Sequence, residues 1–103
     1  MKKFEVFVGL NDADTYEQTY HLDDVRKYIT EAYMQEKIDF SAAFVKGGYL
    51  HENGDYILEN SILYTFIGDY TKEDADAFFE EVKRTINQES ILVCETEIDN
   101  KYM

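Results

Sequence analysis

Apolar side chains alternate with polar ones at the start of the chain, and the period then lengthens. Residues 3–10 place apolar side chains at every second position, which predicts a strand with one apolar face. Residues 11–21 show no period and predict a loop. Over residues 22–37 the apolar positions recur every three or four residues, which predicts an amphipathic helix. Asp23 and Asp24 fall in its first turn, where carboxylates favour the helix dipole.

The middle of the chain predicts a β-hairpin. Residues 40–50 and 55–67 are both strand-like. Asn53-Gly54 lies between them and predicts a type I′ turn, because both residues tolerate a positive φ. The second arm is apolar on both faces, so we expect it to be a central strand of the sheet.

The last third of the chain predicts one more helix and one more strand. Thr71 and Asp74 are close to a capping box, and apolar residues at helical spacing follow over 72–86. Asn87 can take the left-handed conformation that ends a helix. Residues 90–98 are again strand-like, which predicts a last strand.

The predicted order of elements, β-α-β-β-α-β, has a simple solution. It is a ferredoxin-like plait of class α+β, with two helices on one face of a four-stranded antiparallel sheet. A length of 103 residues predicts a single domain over 1–103. Apolar side chains on the other face would favour a homodimer through this open sheet face, or a ligand. The candidates for that face are Phe7, Ile57, Leu63, Leu92 and Cys94.

Charge narrows the classes of partner. The net charge is −12, from 22 Asp and Glu against 10 Lys and Arg. Phosphates would be repelled, so we expect no direct binding of nucleic acid and no binding to an anionic membrane. Residues 1–10 read as a strand and not as a signal peptide, and no apolar run is long enough to span a membrane. We therefore expect a cytoplasmic protein.

No motif in the sequence predicts a particular chemistry. The acidic stretch LNDADTYEQTYHLDD at 10–24 lacks the glycine that a calcium loop needs, and the two histidines lack ligand spacing. Cys94 is followed by acids, which do not activate a thiol. With 22 acids some carboxylates must lie close together, so paired carboxylates are no specific signal. We predict a non-enzymatic protein with no catalytic residues, no cofactor and no metal site.

Carboxylates cluster in the first loop and along one face of the second helix. Acids at i, i+3 and i+7 on that helix repel one another slightly, and such a row can imitate a phosphate backbone. We interpret both clusters as a surface for a basic, nucleic-acid-handling protein; the alternative is a solvated face that only keeps the protein in solution. The expected contact residues are Asp12, Asp14, Glu17, Glu73, Asp76, Glu80, Tyr16 and Tyr20.

Three short pieces resemble a family of small uncharacterised bacterial α+β domains. They are FVGL at 7–10, ENSIL at 59–63 and NQESILV at 87–93. This resemblance implies a fold and no activity. In length, acidity and lack of catalytic motifs, the chain also resembles the class of anti-CRISPR proteins from mobile elements. That resemblance implies an inhibitor of a Cas9-type effector that acts by nucleic-acid mimicry.

A second hypothesis belongs to another class of function. A ferredoxin-like plait can dimerise through its sheet and enclose a small-molecule pocket, as monooxygenase-like and sensor domains do. His21, His51 and Tyr64 would then be the polar groups of interest. A third hypothesis is a structural dimer without a ligand.

Overall fold

The chain folds into the predicted order of elements. The computed structural model describes residues 1–69, 72–88 and 91–99, without the side chains of residues 72, 74 and 75. The elements are β1 (Lys2–Gly9), α1 (Leu22–Gln35), β2 (Ser41–Leu50), β3 (Tyr56–Gly68), α2 (Lys72–Thr85) and β4 (Leu92–Glu97). The predicted boundaries differ from these by at most two residues, because the hydrophobic period changes sharply at each one.

The four strands form one antiparallel sheet in the order β2-β3-β1-β4. The long strand β3 pairs with both β1 and β2, so its two apolar faces are explained by its central place. This topology is that of a ferredoxin-like plait, and the predicted fold class is confirmed.

The hydrophobic core lies between the two helices and one face of the sheet. Val6 and Val8 of β1 are fully buried, and Glu5 and Phe7, which alternate with them, are half-buried. Ile29 of α1 and Val82 of α2 are also fully buried, so both helices cover the same sheet face. Full burial of such a side chain stabilises the fold by about 1.5–3 kcal/mol.

Aromatic rings fill the centre of this core. The ring of Tyr33 on α1 packs edge-on against Tyr64 of β3, with 5.4 Å between the ring centres. Both hydroxyl groups are buried without a hydrogen-bond partner among the described residues. Burial raises the pKa of Tyr64 to about 12. Tyr64 therefore belongs to the core, whereas the second hypothesis placed it at a ligand pocket.

Both helices end in the same backbone motif. Lys37 follows α1 with φ 58°, and Asn87 follows α2 with φ 52°. The next N–H reaches back five residues in each case, from Ile38 to Tyr33 O at 3.0 Å and from Gln88 to Lys83 O at 2.8 Å. Both are Schellman endings, and the prediction for Asn87 is confirmed.

The hairpin loop between β2 and β3 differs from the prediction. Of its residues only Gly54 has a positive φ, 92°, so the two-residue type I′ turn at Asn53-Gly54 is wrong. The His51 N–H donates to Asp55 O at 2.8 Å, which closes a three-residue loop. The Asn53 side chain instead accepts a hydrogen bond from the Asp55 N–H at 3.0 Å. Asn53 therefore acts through its side chain, which its backbone tolerance did not reveal.

The second sheet face carries the apolar residues that the sequence predicts there. Phe7 of β1 lies between its register partners Leu63 of β3 and Leu92 of β4. Leu92 is 59% exposed, and Cys94 on the same face is exposed too. The predicted capping box at Thr71 and Asp74 lies outside the described residues. In the described part of the chain, neither helix has the length and apolar character needed to cross a membrane.

Candidate functional site

A cleft opens where the first loop, residues 11–21, meets the sheet and the end of α2. Its volume is about 130 Å³. We call it the Glu59 cleft. Its lining comes from the first loop, from β2, from β3 and from the residues after α2. The lining residues are Asn11, Asp12, Ala13, Tyr16, Tyr49, Glu59 and Gln88.

Glu59 supplies a half-buried carboxylate to this cleft. It lies in β3, opposite Gly47 of β2. Its Oε2 accepts a hydrogen bond from the backbone N–H of Asn11 at 2.9 Å. Burial raises the pKa of Glu59, and the Asn11 hydrogen bond opposes that effect only in part. A carboxyl group of this kind holds its proton more readily than an exposed one.

Gly9 leaves the space that the Glu59 carboxylate fills. A Cβ built on Gly9 would lie 2.4 Å from the Glu59 carboxyl carbon and from one of its oxygens. Real Cβ atoms do not approach so closely, so any side chain at position 9 must displace the carboxylate. The glycine at the end of β1 is thus part of the site.

Asp12 fixes the shape of the first loop. Its Oδ1 accepts hydrogen bonds from the backbone N–H groups of Asp14 at 2.9 Å and Thr15 at 3.3 Å. Its Oδ2 accepts a hydrogen bond from the side-chain amide of Asn87 at 2.9 Å. These hydrogen bonds, chiefly the one from Asn87, lower the pKa of Asp12. Asp12 is therefore an ionised structural group as well as a lining residue.

The end of α2 holds the same loop through further hydrogen bonds. The Asn87 amide also donates to Asp14 Oδ2 at 3.1 Å, and the Asn87 carbonyl accepts from the Ala13 N–H at 2.9 Å. The Gln88 side-chain amide donates to the Asn11 carbonyl. The Tyr20 hydroxyl donates to Thr85 O at 3.4 Å. These groups are far apart in the sequence, and the fold brings them together at one end of the sheet.

Tyr16 connects the cleft to the hairpin loop. It has φ 58°, a conformation that non-glycine residues adopt rarely, and its side chain is 40% exposed. Its ring meets the His51 ring edge-on, with 4.8 Å between the ring centres. The buried Nδ1 of His51 has no hydrogen-bond partner in the described structure. Tyr16 thus lies between the cleft and the hairpin.

The electrostatic character of the cleft is negative. Asp12 and Glu59 both line it, and none of its described lining residues is Lys or Arg. A cleft with one sign of charge concentrates ligands of the opposite sign. Within residues 1–69, 72–88 and 91–99, no group of three or more His, Cys, Asp and Glu could hold a metal ion. The charge of this cleft favours a small cation as its ligand.

The eight predicted contact residues fall into two separate regions. Asp12 and Tyr16 line the Glu59 cleft, and Asp14 is bound to the same Asn87 amide as Asp12. Glu17 and Tyr20 are exposed on the same loop. The acids of α2, Glu73, Asp76 and Glu80, are exposed as well. Asp76 and Glu80 line a different groove, between α2 and β4. No observation tests these eight residues as contacts for a basic protein.

The polar residues of the second hypothesis do not form one site. His21 caps α1, because its Nδ1 accepts a hydrogen bond from the Asp23 N–H at 3.2 Å. His51 lies in the hairpin loop and contacts Tyr16, whereas Tyr64 is in the core. The residues that matter more for the cleft were missed. They are Gly9, Asn11, Tyr49, Glu59 and Gln88.

One sequence signal points to the most important of these missed residues. Glu59 is the single acid within the 13 residues of β3, a strand that is otherwise largely apolar. An ionisable group in a central strand is costly unless it is exposed, paired or functional. Glu59 also begins the ENSIL piece, while Gly9 and Gln88 lie in the FVGL and NQESILV pieces. Each of the three pieces therefore contributes at least one residue at or beside the cleft.

Comparisons with known proteins give a clear result. No protein-family model matches the chain, and no protein of curated function matches it. A phage SAM lyase in complex with S-methyl-5′-thioadenosine is similar, with 30% identity and a TM-score of 0.72 over 93% of this chain and 80% of that chain. The phage SAM lyase in its apo state matches with 29% identity and a TM-score of 0.71, over 92% of this chain and 78% of that chain.

These similarities correct the predicted function. The expected non-enzymatic inhibitor of a Cas9-type effector is wrong, and so are the anti-CRISPR and nucleic-acid-mimic interpretations, because the similar structures are those of an enzyme. The monooxygenase-like alternative is wrong as well, because the similar structures are those of a SAM lyase. With 30% identity across 80% of that enzyme, this chain belongs to the phage SAM lyase family.

Proposed function

We propose that this protein cleaves S-adenosylmethionine and releases S-methyl-5′-thioadenosine, with the Glu59 cleft as its active site. The observation that carries the proposal is the 30% identity to phage SAM lyase over 93% of this chain, in a structure that holds S-methyl-5′-thioadenosine. The chemistry of the cleft supports it independently, in charge and in the environment of one carboxyl group.

The charge of the cleft suits this substrate. S-adenosylmethionine carries a sulfonium, an ammonium and a carboxylate group, so its net charge at neutral pH is positive. The cleft offers the carboxylates of Asp12 and Glu59, and the chain as a whole has a net charge of −12. Such a field attracts a small cation and raises its rate of association, more so at low salt. The acidity that we assigned to a basic protein partner thus acquires another role.

The bond that breaks joins the sulfonium sulfur to the γ-carbon of the methionine part of the substrate. The sulfur and its methyl group stay with the adenosine part. Both bonding electrons go to sulfur, which becomes an uncharged thioether. In a lyase reaction the remaining four-carbon fragment supplies a replacement electron pair itself, either from one of its C–H bonds or from its own carboxylate. In the first case an enzyme base takes a proton from the carbon next to the γ-carbon, and the electrons of that C–H bond form a double bond. In the second case the carboxylate oxygen bonds to the γ-carbon and the fragment becomes a lactone. The two routes give different second products.

We propose that the Glu59 carboxylate faces the positively charged sulfur of the bound substrate. Its half-buried position lets it act on the substrate with less screening by water than an exposed acid would have. Its raised pKa also suits it to accept a proton if the first route operates. Gly9 leaves space for this carboxylate, and the Asn11 N–H donates a hydrogen bond to it.

The experiment is direct. Purified protein is incubated with S-adenosylmethionine, and the products are identified by liquid chromatography and mass spectrometry. We expect S-methyl-5′-thioadenosine together with an unsaturated amino acid or a lactone, which also decides between the two routes. No S-methyl-5′-thioadenosine above the rate of spontaneous breakdown would refute the proposal.

Two further expectations accompany this function. A cytoplasmic location, which the sequence predicts, is where S-adenosylmethionine would be met, and it stays a prediction. The homodimer through the open sheet face also stays a prediction. Light scattering of the purified protein tests the second of these.

A further inference from the structure

We infer that Asn87, which follows α2, is a positioning residue for the active-site carboxylate. It holds the first loop so that the Asn11 N–H meets Glu59. Its effect on turnover rests on the proposed function, but its effect on Glu59 itself does not.

Asn87 contacts the first loop through both its side chain and its backbone. The side-chain amide donates to Asp12 at 2.9 Å and to Asp14 at 3.1 Å. The backbone carbonyl accepts from the Ala13 N–H at 2.9 Å. One residue therefore binds three consecutive residues of the loop, which we call the Asn87 clasp. Hydrogen bonds to carboxylates are stronger than those between neutral groups.

The Asn87 clasp affects Glu59 through Asn11. Asn11 directly precedes the clasped residues, and its N–H donates to Glu59 Oε2 at 2.9 Å. Its carbonyl accepts from Gln88, the neighbour of Asn87, and its side chain donates to Leu58 O at 3.2 Å. Asn11 is thus held between the end of α2 and β3. The position of the Asn11 N–H therefore depends on contacts with the end of α2 as well as with β3.

The charged and titratable groups around Glu59 make this donor important. The first loop presents Asp12 and Tyr16 to the cleft, and β2 presents Tyr49. The end of α2 presents the uncharged Gln88, and the described lining includes no Lys or Arg. No Lys or Arg of the described lining stabilises the ionised carboxylate, and the hydrogen bond from the Asn11 N–H lowers the pKa of Glu59. Withdrawal of that N–H would favour the protonated form.

A glycine substitution separates the clasp from the helix ending. Asn87→Gly keeps the positive φ of 52° and removes only the side-chain amide. Lys37→Gly is the matched control, because Lys37 ends α1 with φ 58° and the same Schellman hydrogen bonds. Lys37 does not line the cleft. If Asn87→Gly fails to fold, Asn87→Asp keeps the size of the side chain and replaces the donor by a repelling acid.

The measurement follows the Glu59 carboxyl carbon by NMR through a pH titration of glutamate-labelled protein. The resonance is assigned by its absence from Glu59→Gln. We expect the titration midpoint of Glu59 to move to higher pH in Asn87→Gly and to stay at the wild-type value in Lys37→Gly. Equal midpoints in the wild type and in both variants at position 87 would overturn the inference.

Kinetics provide the second readout. If ionised Glu59 is required, the acid limb of kcat/KM moves to higher pH in Asn87→Gly and does not move in Lys37→Gly. The two proposals fail in distinguishable ways, because the NMR titration uses no substrate. A wild type that does not cleave S-adenosylmethionine refutes the proposed function, whereas an unmoved Glu59 midpoint refutes the clasp.

Discussion

The first loop and the outer face of α2 are both rich in carboxylates, yet the fold uses them differently. In the first loop, Asp12 and Asp14 share the Asn87 amide, and Asp12 lines a cleft with Glu59. On α2, Glu73 and Asp76 are exposed to solvent. The role of a local cluster of charge thus cannot be assigned until the residues that bind it, which are distant in the sequence, are known. Asn87 is 75 residues from Asp12 in the sequence.

The same comparison explains why the inhibitor function, which we predicted from surface charge, was wrong. Both regions have the composition of an acidic binding face, and no difference between them is visible along the chain. In the structure one region is organised by hydrogen bonds around a half-buried carboxylate, while the other keeps its acids at the surface. Organised polar groups beside a cleft indicate chemistry more reliably than the number of charges does.

The largest effect on turnover should follow from filling the space beside Glu59. Gly9→Ala displaces the Glu59 carboxylate, whereas Gly47→Ala adds its methyl group where no atom lies within 4 Å. Misplacement of a reacting group by about 1 Å can cost about 100-fold in rate, so we expect a loss of that order for Gly9→Ala. Gly47→Ala should retain wild-type turnover and folding. Equal turnover in the two variants would show that Gly9 has no role in the site.

Neutralising each acidic region separately should have a smaller effect. The double variant Asp12→Asn/Asp14→Asn replaces one acceptor oxygen of each carboxylate by an NH2 group and removes both charges, which weakens the Asn87 clasp. We expect kcat/KM to fall about tenfold. The double variant Glu73→Gln/Asp76→Asn changes only exposed charge and should stay within about twofold at 0.15 M salt, where long-range charge is screened. Steady-state assays of S-methyl-5′-thioadenosine release compare them. A larger loss of kcat/KM in the α2 variant would show that the acidic α2 face contributes to function.

The stability of the protein should depend on pH with opposite signs at two acids of the cleft. The pKa of Asp12 is lowered, so Asp12 stabilises the fold above its unfolded-state pKa, and that contribution is lost as the pH falls through the folded value. The pKa of Glu59 is raised, so its ionisation destabilises the fold at neutral pH, and that cost vanishes in acid. Thermal unfolding from pH 7 to pH 3 should find Asp12→Asn less stable than wild type at pH 7 and Glu59→Gln more stable. Both differences should shrink in acid, and a difference that stays constant with pH would contradict the assigned cause.

The smallest effect is expected from an ion pair on α2. Lys83 Nζ lies 3.1 Å from Glu80 Oε2, and the pair joins positions i and i+3 on the helix surface. Pairs of this kind contribute about 0.3–0.5 kcal/mol and are weakened by salt. Glu80→Gln should lower the free energy of unfolding in urea by that amount and leave turnover unchanged. A loss of turnover would show that this face does more than stabilise its helix.

Most of the fold could be predicted, because its causes are local. The alternation that includes Val6 and Val8, and the helical spacing that includes Ile29, follow from burying one face of each element. The hairpin loop was mispredicted, because Asn53 acts through its side chain and leaves Gly54 as the one residue of that loop with a positive φ. Predictions from sequence pattern thus held for whole elements and failed in the detail of a loop.

The site could not be predicted, because its contacts are between distant parts of the chain. The Asn11 N–H meets Glu59 over 48 positions, and Gln88 meets Asn11 over 77. With 22 acids in the sequence, neither composition nor spacing singles out Glu59. Its place inside a central strand was the available signal. That signal becomes decisive only when Gly9 is seen beside it.

The most direct test of the central claim compares two carboxylates, one from each region. Glu59→Gln and Glu73→Gln make the same chemical change, in the cleft and on the α2 face. The account predicts that Glu59→Gln lowers kcat/KM for S-adenosylmethionine by at least about 100-fold, as expected for loss of a group that acts on the reacting atoms. Glu73→Gln should retain the wild-type value. Equal kcat/KM values for the two variants would contradict the assignment of the active site to the Glu59 cleft.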